Sequence, residues 1–265
     1  MHALLIALNS KAFHSKSPQI IEMNKELYRS RIYQQYVHAR ELPLAPTVLK
    51  DSSAQPYFAK VIKDHFPKEA DTRILELGCG HGAFLYTMNQ AGYKHAIGID
   101  RSPQQIAEAH RLGITNVQRE DIMEYLKMQL DASYDVVVTF DVIEHFTKAE
   151  LIPLIDQINR VLGLGGRWII HAPNAESPFG NRILFSDFTH EIAFTRTSIS
   201  QLLLSSGFSK ILCEECTPVV HGIKSLIRLI LWKIIRSWWW VHTVVETGDY
   251  SKGCFTQNFL AIAFK

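Results

Sequence analysis

The sequence has no strong excess of charge of either sign. Its 265 residues include 28 lysines and arginines and 26 aspartates and glutamates, which gives a formal net charge of +2. Nucleic-acid-binding domains are usually much more basic, with their positive side chains clustered on one face. The charge balance by itself therefore does not indicate a nucleic acid as the partner.

Cysteine is also scarce, with four residues in the chain. A long chain with few cysteines and no secretory signal does not favour a disulfide framework, so we expect free thiols in a reducing cytosol. Cys213 and Cys216 form a CxxC pair, but no second pair of matching spacing follows. The surrounding segment, 210–219, has the pattern of a strand, in which residues three apart face opposite sides. We therefore expect neither a zinc site nor a redox centre there.

A clear secretory signal is missing as well. Residues 1–8 are apolar, but no basic segment precedes them and no clear cleavage site follows. A strong helical pattern begins directly after Met23. Residues 1–22 are therefore either a disordered leader or an extension from an upstream start codon. We predict that an N-terminal helical cap follows at 23–69.

From residue 70 onward the sequence alternates between short apolar strands and amphipathic helices. The segment 135–140 is almost wholly apolar and β-branched, which is typical of a strand buried on both faces. Alternating strands and helices form βαβ units and a mostly parallel sheet. The last two predicted strands, 210–219 and 257–264, have no regular crossover helix between them, so they could pair antiparallel at one edge. We predict one α/β domain at 70–265.

The clearest motif is a glycine-rich turn between the first strand and its helix. Glu76 lies near the end of that strand, and Gly78, Gly80 and Gly82 follow at alternate positions. Glycine permits a tight turn and lets backbone amides approach a ligand. Asp100 ends the next strand, where a carboxylate can accept hydrogen bonds from ribose hydroxyls. Open α/β sheets bind ligands at this carboxyl edge.

Five motifs follow one another in a characteristic order. They are Glu76-Leu-Gly-Cys-Gly-His-Gly82, Gly98-Ile-Asp100, Glu120-Asp-Ile122, the strand that ends at Asp141, and Leu162-Gly-Leu-Gly-Gly-Arg-Trp-Ile-Ile170. Their order and spacing resemble the class I S-adenosylmethionine-dependent methyltransferases. The resemblance covers roughly residues 70–265. It implies a Rossmann-like, seven-stranded, mostly parallel sheet with an antiparallel last strand, and S-adenosylmethionine (SAM) as the cofactor.

The resemblance also implies a set of cofactor-binding residues. Asp100 would hold the ribose diol, with Arg101 beside the adenine. Asp121 would bond the adenine amino group and Ile122 would donate a backbone amide, while Phe140 would contact the methionine end through its backbone. NAD is the closest alternative cofactor, but the GxGxG spacing and Asp121 favour the methyl donor. The complete set is Glu76, Gly78, Cys79, Gly80, Gly82, Asp100, Arg101, Asp121, Ile122 and Phe140.

Two histidines are candidates for a catalytic base. His145 follows the fourth strand, and His190 lies in the long loop after the fifth strand, so both face the cofactor edge. A hydroxyl acceptor reacts more readily when a base takes its proton, and imidazole suits that role near neutral pH. The alternatives are a helix-entry role for His145 and a loop-packing role for His190.

The same region allows a metal-binding interpretation. Asp141, Glu144, His145 and His190 resemble the metal cluster of the small-RNA 3′-terminal 2′-O-methyltransferases, and the ubiquinone-biosynthesis O-methyltransferases are similar too. Carboxylates and imidazoles could hold a divalent ion on a substrate diol. However, the first acidic residue of the set, Asp141, is Asp rather than Glu, and similar sequence motifs occur in methyltransferases without a metal. We therefore predict no metal, and these four residues as the ligands if one is present.

The segment between the last two strands, 219–247, is basic and rich in tryptophan. It holds four cations and no acid before Glu246. On a helical wheel the cations cover about half of the circumference. Four cations argue against a membrane-spanning helix, whereas a basic amphipathic helix fits a position at an anionic membrane surface. Packing on the protein or on a dimer partner is the alternative. The other half of the wheel holds Ile227, Ile230, Leu231, Ile234 and Trp238.

This insertion, the motifs at 178–182 and 187–191, and the segment 27–36 resemble bacterial methyltransferases found with surface-polysaccharide synthesis. That likeness implies a cytoplasmic enzyme that O-methylates a sugar or lipid-linked glycan hydroxyl at the inner membrane face. We expect a small-molecule or glycan substrate rather than a nucleic acid. The alternatives are a quinone-type phenol O-methyltransferase, a metal-assisted RNA 2′-O-methyltransferase, and a non-catalytic binding module that keeps the fold.

Overall fold

The computed structural model describes residues 29, 31–32, 44–45, 47–251 and 253–265. The predicted leader at 1–22 lies outside this part of the chain, as does most of the first half of the predicted helical cap. Residues 43–265 form one compact unit. The fold is that of this unit.

The unit contains a seven-stranded sheet. Its strands are β1 (Arg73–Leu77), β2 (His95–Asp100), β3 (Val117–Arg119), β4 (Tyr134–Phe140), β5 (Leu162–Pro173), β6 (Lys210–Glu215) and β7 (Asn258–Phe264). The strand order is β3-β2-β1-β4-β5-β7-β6. The first five strands pair in parallel, and β7 runs antiparallel to both β5 and β6. The predicted fold is therefore confirmed, including the antiparallel last strand.

Helices connect the strands along the chain. They are α1 (Val48–Asp51), α2 (Gln55–His65), α3 (Ala83–Gln90), α4 (Pro103–Arg111), α5 (Ile122–Met128), α6 (Lys148–Val161), α7 (Gly180–Leu184), α8 (Arg196–Ser205) and α9 (Ile223–Thr247), with a short 3₁₀ helix at Ile143–His145. β5 begins with the glycine-rich segment 162–166, because Leu162 already pairs with Tyr134 before the register shifts.

The sheet is buried on both faces. Val136, Val137 and Val138 of β4 are fully buried, and alternate side chains enter two different hydrophobic clusters. This is the pattern that a parallel strand between two helical layers requires. Val61 and Ile62 of α2 belong to one of these clusters, so α2 packs against the sheet.

Side-chain caps begin the helices that follow β2 and β3. Ser102 accepts a hydrogen bond from the Gln105 amide at 3.3 Å, and Pro103 follows it as the first residue of α4. Asp121 caps α5 in the same way. Because a helix then starts directly after each strand, the residues at these junctions lie at the carboxyl edge of the sheet.

Candidate active site

Three glycines form the turn between β1 and α3. Gly78, Gly80 and Gly82 have left-handed φ angles of +73°, +53° and +81°. A Cβ atom at Gly78 would lie 2.5 Å from a methyl of Val142, and one at Gly82 would lie 2.9 Å from a methyl of Ile114. A Cβ atom at Gly80 would meet nothing closer than 3.8 Å. The outer glycines therefore allow tight packing, whereas Gly80 presents an open face.

The amides of this turn are used within the protein. Those of Gly78 and Cys79 donate to the Ile99 carbonyl at 2.7 and 3.0 Å, and that of Gly80 donates to Oδ2 of Asp100 at 2.9 Å. We expected such amides to approach the ligand. In the structure these three amides instead fix the turn against β2.

Asp100 lies at the end of β2, beside the open face of Gly80. Its Oδ1 accepts from the Ser102 amide at 2.8 Å, so each carboxylate oxygen has one protein donor. A carboxylate offers about four lone-pair sites, which leaves one on each oxygen for a pair of ligand hydroxyls. Burial raises the pKa of Asp100.

Two further acceptors at this edge have no donor. Oε2 of Glu76 and Oε1 of Gln105 are buried without a hydrogen-bond partner. Burial, and then the charge of Asp100, raises the pKa of Glu76 to about 8. Buried acceptors without donors are costly, so this edge suits a ligand that brings donors and positive charge. Gln105, in the first turn of α4, was missed from the sequence.

The other predicted cofactor residues also lie at the carboxyl edge. Arg101 is exposed directly after β2, and Ile122 begins α5. Asp121 uses Oδ1 to cap α5, where it accepts from two amides at 2.9 and 3.3 Å. Phe140 ends β4 and packs on Phe84 with ring centroids 4.7 Å apart. Their contacts with a cofactor stay a prediction.

The two candidate histidines lie together. His145 ends the 3₁₀ helix after β4, and the ring of His190 lies 4.7 Å from it, centroid to centroid. The loop that carries His190 is held by the Glu144 carbonyl, which accepts from the amides of Glu191 and Ile192 at 2.7 and 3.3 Å. One potential ligand atom each from Glu144, His145 and His190 lies within 4.8 Å of the other two.

Hydrogen bonds fix the tautomer of both histidines. Thr189 donates its hydroxyl proton to Asp187 at 2.7 Å, so Nδ1 of His145 donates to the Thr189 oxygen at 2.8 Å. Nδ1 of His190 lies 3.0 and 3.2 Å from two carbonyl oxygens at the end of α7, and carbonyls only accept. Each neutral ring therefore has its lone pair on Nε2.

Burial shifts the pKa values of His145 and Glu144 in opposite directions. Burial, and then the charge of His190, lowers the pKa of His145 to about 4, so its ring is neutral and weakly basic. Glu144 is fully buried, and neither of its carboxylate oxygens has a hydrogen-bond partner. Burial, and then the charge of Asp141, raises the pKa of Glu144 well above its ordinary value.

Asp141 contacts a residue that the sequence reasoning missed. Its Oδ1 lies 2.7 Å from Nδ1 of His171, a buried residue of β5. Burial lowers the pKa of His171, but Asp141 outweighs this effect and holds the pKa well above its ordinary value. Cys216, whose thiol lies 3.0 Å from the Tyr57 hydroxyl, also raises the pKa of His171. The sequence signal that could have identified His171 is the position of a histidine within an otherwise apolar strand.

Comparison with known proteins decides the family. A family model described as a methyltransferase domain matches residues 51–212, more than half of the chain. The chain belongs to the methyltransferase domain family. It is also 30% identical over 154 residues to a probable S-adenosylmethionine-dependent methyltransferase of Mycolicibacterium smegmatis. That match covers 56% of the chain and 55% of the relative, so the chain spans about half the length of this curated relative.

Solved structures share the fold of this methyltransferase domain. A SAM-dependent methyltransferase from Archaeoglobus fulgidus superposes with a TM-score of 0.60 at 22% identity, over 82% of this chain and 97% of that one. The 1,6-didemethyltoxoflavin-N1-methyltransferase of Burkholderia thailandensis, solved with S-adenosylhomocysteine, gives 0.55 at 15% identity over 92% and 89%. At these identities the likeness concerns the fold. The relatives from Mycolicibacterium smegmatis and Archaeoglobus fulgidus are both named as SAM-dependent, and SAM is the cofactor that the sequence predicted.

Proposed function

We propose that the chain is a SAM-dependent methyltransferase that methylates a hydroxyl of a sugar or lipid-linked glycan at a membrane surface. The observation that carries this proposal is the exposed apolar face of α9, which lies beside the loop that bears His190. The glycine turn and Asp100 are intact, which speaks against a non-catalytic binding module.

At the carboxyl edge of the sheet, Glu76 and Gln105 have buried acceptor oxygens without donors, and this arrangement suits SAM as the ligand. SAM carries an ammonium group, a ribose diol and an adenine amino group, and it supplies the methyl group from a sulfonium. Asp100 has a lone pair on each oxygen for the diol, and Asp121 has its Oδ2 for the adenine amine. Oε2 of Glu76 is buried without a donor, and the cationic methionine end of SAM would stabilise the ionised form of this carboxyl.

Two tasks fall to the chain in methyl transfer. The first is alignment, because holding the acceptor oxygen in line with the methyl carbon removes much of the barrier. The second is proton removal as the new C–O bond forms and the C–S bond breaks with its electrons left on sulfur. Nε2 of His190 has the lone pair for that proton, on a ring held by two carbonyls. His145 is a poor base, because burial lowers its pKa to about 4.

Helix α9 presents apolar side chains outward. At 25 residues it is about 37 Å long. Lys224 and Arg228 flank one side of the apolar face and Lys233 flanks the other, whereas Arg236 points inward to Glu215 at 2.7 Å. Apolar residues between cations suit an anionic bilayer surface. Among the described residues, no helix has the length and apolar character needed to cross a membrane. The side chains exposed to 44–82% are Ile223, Leu226, Ile227, Ile230, Leu231, Ile234, Ile235, Trp238, Val241 and Val245.

The helix contacts the loop that carries His190. Trp239 of α9 packs edge-on against Phe179, with ring centroids 6.2 Å apart, and Phe179 directly precedes α7. In the same loop Phe185 and Phe188 are 79% and 83% exposed. A bilayer on α9 would therefore lie next to the loop, which favours an acceptor that is itself anchored in the membrane.

Liposome sedimentation tests the membrane contact. We expect the protein to sediment with vesicles of phosphatidylglycerol and phosphatidylcholine, and to lose most of this binding when Ile234→Glu and Trp238→Glu place charge on the outer face of α9. Leu164→Glu is the matched control, because Leu164 is 95% exposed and lies in β5. Equal sedimentation of all variants would exclude α9 as the contact.

Transfer of labelled methyl groups into fractionated cell extract tests the acceptor. We expect the label in the glycolipid or polysaccharide fraction, in a base-stable ether. Label in quinones or in RNA would replace the glycan by one of the two alternative acceptors. Label in no fraction, from protein that binds SAM, would contradict the transferase assignment.

A further inference from the structure

We propose that the α7 loop, residues 175–190, enters the same anionic bilayer as α9 through the ring of Phe185, and that this contact holds the ring of His190 in place for methyl transfer. The bilayer then activates the site in addition to presenting the acceptor. The inference rests on the proposed function, because it gives the proposed membrane contact a part in positioning the proposed base.

The end of α7 orients His190. Nδ1 of His190 donates to the carbonyls of Ile183 and Leu184, at 3.0 and 3.2 Å. Both carbonyls belong to the last turn of α7, so a displacement of this helix end removes the two acceptors that fix the ring. Without them the ring rotates about its side-chain bonds, and Nε2 has no fixed position. The placement of the proposed base therefore depends on the placement of α7.

Helix α7 is stabilised unevenly along its length. Its first residue is anchored, because Gly180 is buried and its amide donates to the Ser177 carbonyl at 3.0 Å. At the far end, the Phe185 amide donates to the Asn181 carbonyl at 3.0 Å, which is a bond within the same turn. The helix is five residues long, and helices this short are not stable in water by themselves. We therefore expect the far end, which orients His190, to open readily in solution.

The outward side chains of the α7 loop resemble those of α9. Phe185 is 79% exposed, and Arg182 is an exposed cation three residues before it. An exposed aromatic ring beside a cation suits the surface of an anionic bilayer. Phe179 is 58% exposed and packs on Trp239 of α9, with ring centroids 6.2 Å apart. Because of this contact the surface of the loop continues that of α9, and one bilayer fits both.

A bilayer bound to α9 would stabilise the far end of α7. Docking through α9 brings Phe185 to the membrane surface, so its insertion becomes an intramolecular step. An inserted ring returns to water each time the α7 turn opens, and this makes opening less favourable than in solution. The carbonyls of Ile183 and Leu184 then stay in place, and so does the ring of His190. A fixed base is what alignment with the acceptor hydroxyl requires.

Hydrogen exchange of the α7 loop tests this coupling without a methyl acceptor. The probe is vesicles of phosphatidylglycerol and phosphatidylcholine, added to the full-length protein. We expect the amides of Phe185 and Ser186, which donate to carbonyls of α7, to exchange at least about tenfold more slowly on the vesicles. Wild-type protein that sediments with the vesicles but exchanges these amides at an unchanged rate overturns the inference and leaves the α9 contact intact. Protein that never sediments refutes the proposed membrane contact, and the inference with it.

Substitution of Phe185 separates loop positioning from membrane binding. All variants are compared at vesicle concentrations that sediment each of them through α9. Phe185→Ser should lose the slower exchange, whereas Phe185→Leu, which keeps an apolar side chain, should retain it. Leu130→Ser is the matched control, because Leu130 is 81% exposed and precedes β4, at the opposite edge of the sheet. Slower exchange in Phe185→Ser equal to that of the wild type would overturn the role of this ring.

Turnover gives a second measurement that a purely structural role of Phe185 would not change. The substrate is the extract fraction that accepts labelled methyl groups, reconstituted in the same anionic vesicles. Phe185→Ser should lower kcat at least about tenfold with SAM affinity unchanged, and Phe185→Leu should recover most of the loss. An unchanged kcat in Phe185→Ser would overturn the inference. If no fraction accepts label, the proposed function fails, and the exchange rates still decide whether the bilayer holds α7.

Discussion

The buried Glu76 carboxyl makes stability depend on pH in a way that one substitution isolates. In the folded chain its pKa is about 8, because burial and then the charge of Asp100 disfavour the ionised form, whereas the ordinary value is 4.5. Between these two values the unfolded chain has lost the proton and the folded chain has kept it. The free energy of unfolding therefore falls as pH rises through this interval and is constant above it.

The size of the effect follows from the two pKa values. Each pH unit of the interval lowers the free energy of unfolding by about 1.4 kcal/mol, which gives at most about 5 kcal/mol by pH 8. Glu76→Gln has the same shape but does not ionise. The variant and the wild type should therefore be similarly stable at pH 5, and the variant should be more stable by several kcal/mol at pH 8.5.

Urea unfolding of both proteins without cofactor, at pH 5, 7 and 8.5, measures this difference. Comparing the two proteins at each pH removes the contribution of the other titrating groups. A stability difference that stays constant from pH 5 to pH 8.5 would refute the reasoning, because it would mean that Glu76 ionises normally in the folded state.

Four further results are expected. Calorimetry of SAM binding at pH 7, in buffers of different ionisation enthalpy, should show release of about 0.9 proton from the wild type and none from Glu76→Gln, because the cationic ligand ionises the carboxyl. Asp100→Ala should weaken SAM binding at least about 100-fold, since two hydrogen bonds to a charged group are lost; an unchanged affinity would contradict its ribose role. Gly80→Ala and Gly92→Ala both place a side chain at positive φ in open space. Both should cost about 1–2 kcal/mol of stability, but only Gly80→Ala should weaken SAM binding. His190→Ala should lower kcat far more than it changes SAM affinity, and normal turnover would remove it from the mechanism.

The cofactor half of the site could be predicted because it depends on local sequence. A strand, a tight turn and a helix start follow one another within a few residues, and each has its own signal. Positive φ angles at Gly78, Gly80 and Gly82 are what that signal requires, and Ser102 and Asp121 cap the next helices as short polar residues do. Asp100 then lies beside Gly80 because β1 and β2 are neighbours in a parallel sheet.

The acceptor half depends on contacts between distant residues. His145 and His190 are far apart in sequence and meet only because the loop after β5 bonds to the Glu144 carbonyl. Asp141 meets His171 because Phe140 and His171 are paired between β4 and β5, and no sequence pattern gives that register. The sequence predicted no metal and named four residues as ligands if one is present. The structure groups Glu144, His145 and His190, and it pairs the fourth residue, Asp141, with a histidine that was not considered.

The backbone at Asp141 explains this division of roles. Asp141 has a φ of +54°, which costs a residue with a side chain about 1–2 kcal/mol. Two contacts with the same residue offset that cost, since its amide donates to the His171 carbonyl at 3.1 Å and its carboxylate pairs with the His171 ring at 2.7 Å. The bend at Asp141 turns the chain from β4 into the 3₁₀ helix that buries Glu144 and places His145 beside His190. Asp141 is therefore paired with His171, and its bend positions Glu144 and His145.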